Sequence, residues 1–157
     1  MHSQIRTRTR VAGLGLALLL ATVASVQAGP QEDFETGAAS YRNGDIVGAM
    51  PPLRRAADAG HVEAQLQFGF ILDWSEENAE AVRYYRMAAD SGDPRGQLEL
   101  ARMYLSGEGV EPDPEVARGW IEKAAAQRHA PALTQLGHGY LDGGLGLAAD
   151  EAQARSH

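Results

Sequence analysis

Between Ala88 and Ala125 the chain reads "AADSGDPRGQLELARMYLSGEGVEPDPEVARGWIEKAA", beginning and ending on one Ala-Ala pair. That pair stands at Ala56-Ala57, Ala88-Ala89 and Ala124-Ala125, 32 and then 36 residues apart, and its neighbourhood returns with it. Seven residues before its first alanine are Ala49, Ala81 and Ala117; seven after its second are Ala64, Gly96 and Ala132. Phe68-Gly69, Leu100-Ala101 and Leu136-Gly137 follow at equal offsets, and Leu72, Tyr104 and Tyr140 stand three residues beyond them. Biased composition does not produce agreement at so many offsets, and a period in the thirties marks stacked helical pairs.

Within each period, apolar or small residues recur three and four apart, as in "EAQLQFGFIL" and "RGQLELARMYL". Each segment therefore has one stripe to bury, the pattern of a helix. The small residue behind each Phe or Leu (Gly69, Ala101, Gly137) lets a neighbouring helix approach closely. The stretches "AGHV", "SGDP" and "RHAP" close one helix and open the next. Pro94 and Pro131 fall in first turns that need no donor, and Asp45, Asp93 and Asp113 are suited to capping. These signals predict helices over residues 33–43, 45–59, 62–73, 76–91, 94–105, 114–127 and 130–141, with a short one after 149. The predicted class is all-α. Pro51-Pro52 should kink the second helix by removing two backbone donors, unless that helix begins later.

Two units depart from the pattern. "DWSEENAEA" spans nine positions from Leu72 to Ala81 where thirteen separate Tyr104 from Ala117, so this turn must be built differently, with Trp74 at its edge. The last unit reads "DGGLGLAADEAQARSH", so its second helix is expected to be too short to cover Leu133, Leu136 and Tyr140 fully.

At the other end, Arg6, Arg8 and Arg10 precede an apolar run from Val11 to Val23 and then Val26-Gln27-Ala28. A charged region, an apolar core shorter than a bilayer span and small residues at a cleavage position make a secretory signal, expected to be cut after Ala28. The domain expected to remain is residues 29–157, with location in the periplasm or outside the cell and no membrane insertion after cleavage. Losing three arginines and no acids takes the formal charge from −7 to −10. So acidic a chain, with Lys123 its only lysine, is not built to bind nucleic acid. It has no cysteine, which excludes disulfide staples, thiol catalysis and cysteine metal sites.

The residues from Gly96 to Ala125 carry a more specific signature: Leu100, Ala101, Tyr104, Gly107, Gly109, Val110, Asp113, Ala117, Trp120, Lys123, Ala124 and Ala125. In order and spacing they resemble the Sel1-like repeat, a relative of the tetratricopeptide repeat. "DFETGAASYRNGDIVGAM" is similar to the first unit of exported bacterial members. The resemblance implies a right-handed α-solenoid of about four helix pairs, the last incomplete, that works by binding protein or peptide.

No catalytic constellation stands out. The glycines of "GGLGLAAD" follow no strand, His61 and His129 recur as repeat positions and not as a ligand pair, and neither Ser-x-x-Lys nor His-x-x-x-His occurs. No metal or other cofactor is expected. An envelope enzyme, such as a cell-wall hydrolase or β-lactam-binding protein using paired acids, is the alternative. In the tetratricopeptide architecture the first helix of each pair lines the concave face, so residues there that avoid the core stripe should form a peptide groove. By offset these are Glu63, Leu66, Phe70 and Asp73; Arg95, Leu98, Arg102 and Leu105; Thr134, His138 and Leu141. Apolar Leu66, Phe70 and Leu98 flanked by Arg95 and Arg102 would suit a peptide with an acidic group.

Overall fold

The computed structural model of the protein describes residues 29–142 and Leu145. The expected leader, residues 1–28, and the expected helix after 149 lie outside the described residues. Among those described there are seven helices and no strand: α1 (Pro30–Arg42), α2 (Ile46–Asp58), α3 (Val62–Trp74), α4 (Asn78–Asp90), α5 (Pro94–Ser106), α6 (Pro114–Ala126) and α7 (Ala130–Asp142). Each packs chiefly on its neighbours in the chain, so the molecule is an all-α repeat solenoid. α1 begins earlier than predicted, because Pro30 is preset for a first turn and Glu32 and Asp33 favour its positive end. α2 runs on through Pro51 and Pro52. The carbonyls left without donors belong to Val47 and Gly48, both exposed to water.

The structure explains the Ala-Ala pair. Each pair lies in the last turn of a helix and accepts the two bonds that close it. Gly60 and His61 donate to Ala57 and Ala56 at 3.0 Å each; Gly92 and Asp93 donate to Ala89 and Ala88 at 3.0 and 3.2 Å. Arg128 and His129 donate to Ala125 and Ala124 at 2.8 and 3.3 Å. The next helix then latches onto the same carbonyls, with Gln65 Nε2 donating to Ala57 at 3.1 Å and Gln97 Nε2 to Ala89 at 3.4 Å. All six alanines are buried.

Caps follow the expected positions. Asp45 accepts from the Gly48 amide at 2.8 Å, Asp93 from Arg95 at 2.9 Å and Asp113 from Val116 at 3.0 Å. His61, read only as a repeat position, caps α3: its Nδ1 accepts from the Ala64 amide at 3.2 Å. The proton of the neutral ring then sits on Nε2, which faces Gln31 Oε1 at 3.0 Å, while Phe34 stacks on the ring at 4.5 Å.

The core repeats a small residue against a large one. A β-carbon at Gly37 would stand 2.6 Å from Leu53 Cγ, and one at Gly69 2.9 Å from Tyr85 Cε1. At the third equivalent position Ala101 lies in one buried cluster with Ile121.

Candidate functional site

α1, α3 and α5 share one face, and across it runs a cavity of about 420 Å³ lined by Phe34 and Tyr41 of α1, Glu63, Leu66, Gln67 and Phe70 of α3, and Arg95 and Glu99 of α5, with Tyr85 of α4 behind them. A second hollow of about 230 Å³ continues from it, sharing Tyr41 and Phe70 and adding Ile46, Ile71 and Trp74. Phe70 is 52% exposed and Trp74 76%, large apolar surfaces that a monomer ordinarily covers.

The predicted groove residues divide. Glu63, Leu66, Phe70 and Arg95 are brought together in the cavity. Leu98 is half-buried against the second core cluster, and Arg102 lies beyond the lining, tied to carboxylates of α3, α5 and the following loop. Thr134, His138 and Leu141 are exposed on α7, away from the cavity; the Thr134 hydroxyl donates to the Ala130 carbonyl at 3.1 Å. Sequence reasoning missed Phe34 and Tyr41, although a signal was there. They stand 32 residues before Leu66 and Asp73, so carrying the repeat back one unit would have found them.

Charge on this face is already paired, with an excess of acid. Arg95 meets Asp93 at 2.7 Å and Glu63 at 2.9 Å, while Arg102 meets Glu99 and Glu108 at 3.1 Å each and also Asp73. The bond from Asp93, above all, holds the Arg95 charge more firmly than usual, and Arg95 in turn keeps the Asp93 carboxyl below its ordinary range. Burial works against the Arg102 charge, but Glu99 and Asp73 outweigh it. Burial likewise pushes the Tyr85 hydroxyl well up, with Glu99 and Asp73 adding to it. The two arginines expected to receive an acidic ligand group are therefore occupied by the chain's own carboxylates. Glu63 and Glu99, the acids of the cavity lining, each pair with a guanidinium. Among the described residues no group of three His, Cys, Asp or Glu is placed to hold a metal ion, and no helix is long and apolar enough to cross a membrane.

A solenoid of helix pairs with an aromatic-lined groove over its first helices defines the class: a helical-repeat interaction scaffold. The Sel1 repeat model matches residues 75–93, 94–129 and 130–157, and the chain belongs to the Sel1 repeat family. α1, α2 and α3 precede the matched repeats and continue the same packing. The chain is 33% identical to an uncharacterized protein of Neisseria meningitidis over 147 residues, 90% of this chain and 31% of that one. It is 29% identical over 119 residues to chitin synthase regulatory factor 1 of Schizosaccharomyces pombe, covering 71% of this chain and 26% of that protein. Among solved structures it is similar to a protective antigen of uropathogenic Escherichia coli displaying an SLR fold: TM-score 0.76, 28% identity, 82% of this chain and 29% of that one. The chain thus spans about a third or less of these relatives' lengths. Sel1 repeat proteins are in general protein–protein interaction scaffolds, a regulatory and not typically an enzymatic fold.

Proposed function

We propose that this chain is an exported scaffold that binds a protein or peptide partner in the cell envelope through the groove over α1, α3 and α5. The carrying observation is Phe70, half in solvent at the junction of two apolar hollows, with Leu66, Phe34 and Tyr41 around it. Such an arrangement costs solubility unless a partner covers it. The leader-like segment at Arg6 to Ala28 supports export.

Two measurements test this. Fusing residues 1–28 to a reporter active only outside the cytoplasm should give activity; a silent fusion overturns export. Affinity capture from a periplasmic extract should retain a partner with the native chain and lose it with Phe70→Ser at unchanged melting temperature. Equal capture by both places binding elsewhere.

A further inference from the structure

We infer that the groove selects a cationic peptide segment, a lysine or arginine beside two apolar anchor residues; the inference rests on the groove being the binding face. Two observations combine. The first is shape: the hollows of about 420 and 230 Å³ meet at Tyr41 and Phe70, and each is lined mainly by aromatic and aliphatic side chains. Two joined apolar pockets take two anchors of one extended or helical segment.

The second is charge. Five carboxylates (Glu63, Asp73, Asp93, Glu99, Glu108) surround two guanidiniums, Arg95 and Arg102. Arg95 spends Nε and both Nη nitrogens on Asp93 and Glu63, and Arg102 spends Nε and both Nη nitrogens on Glu99, Glu108 and Asp73. An acidic ligand would meet no unpaired cation among the residues lining the two hollows, and a net negative face. An ammonium or guanidinium would meet Glu63 and Glu99, carboxylates at the groove's lip with lone pairs to spare, next to aromatic faces that also attract cations. The chain's own formal charge of −7 disfavours a second copy as occupant.

The test is selection of a random peptide library on the immobilised full chain at low salt. Expected are peptides with two apolar or aromatic positions and an enriched Lys or Arg, whose binding is lost with Phe70→Ser. For a synthetic peptide from that pool, the double variant E63Q/E99Q should weaken binding by about tenfold, and raising the salt should weaken it for the native chain. Selected peptides that need Phe70 but are neutral or acidic overturn the cationic preference and leave the groove as binding face. If nothing selected depends on Phe70, the groove and the preference fall together.

Discussion

The turn from α3 to α4 and the loop from α5 to α6 occupy the same place in two repeats and are built in opposite ways. The first has three residues, Ser75 to Glu77; the second has seven, Gly107 to Asp113. The long loop leans back on the preceding unit: Gly109, at φ +71, lies so near the start of α4 that a β-carbon there would stand 2.4 Å from the Asn78 carbonyl, and Val110 packs on the first core cluster. The short turn closes α3 on itself, Glu76 donating to Asp73 at 3.0 Å and Glu77 to Leu72 at 2.9 Å, with Glu76 in the left-handed region at φ 63. Where the loop keeps the repeat pattern it builds the joint between units. Where the turn departs from it, Trp74 is left in solvent beside Phe70, and the departure makes the surface.

The sharpest way to break the long loop is Gly109→Val. It combines a positive φ that a β-branched residue adopts only under strain with a clash against backbone that cannot yield. The expected loss is about 3 kcal/mol or more, read as a cooperative unfolding transition moved down by roughly 10 °C. A normal melting temperature would mean that the loop is not part of the joint. Gly69→Leu tests the helix pair that carries the short turn. A β-carbon at Gly69 would already stand 2.9 Å from the buried Tyr85 ring, so overpacking should cost about 1–3 kcal/mol.

Asp93 links the groove to the fold, since it caps α5 and holds Arg95. Asp93→Ala should cost about 1 kcal/mol at neutral pH. The folded chain holds the Asp93 carboxyl below its ordinary value of 3.8, chiefly through Arg95. Its charge-dependent contribution is therefore present above that value and lost as pH falls through the lower folded one. The stability gap between native chain and variant should narrow in acid; a gap constant from pH 7 to pH 2 would show that the charge adds nothing.

Most of the core was legible because the repeat writes it three times: the buried alanines, the capping aspartates and the small residues behind Phe68 and Leu100 all stand at recurring offsets. The groove was legible only by half. Offsets find which residues of α3 and α5 face it, but not that Arg95 and Arg102 are spent on Glu63, Asp93, Glu99, Asp73 and Glu108. Apart from Glu99 and Arg102, three residues apart on α5, those pairs join different helices or a helix to its cap or loop, and depend on side-chain reach that no single-helix pattern encodes. His61 illustrates the same gap, since its capping role needs the Ala64 amide and its ring packing needs Phe34, 27 residues earlier.

The smallest effect on stability separates the two regions most cleanly. Trp74 is 76% exposed and ends α3, so Trp74→Ser removes little buried area and leaves the short turn's closing bonds in place. The melting temperature should stay within about 2 °C of the native value, as surface substitutions usually do. Binding should change all the same, because Trp74 walls the smaller hollow with Ile46 and Phe70. A peptide with two apolar anchors should lose one of them and bind severalfold more weakly, while a peptide shortened to one anchor should bind both chains alike. Val110→Ser in the long loop should do the reverse, lowering the melting temperature through lost packing and leaving peptide affinity unchanged. Were both substitutions to move both quantities together, the short turn and the long loop would not be divided into surface and joint.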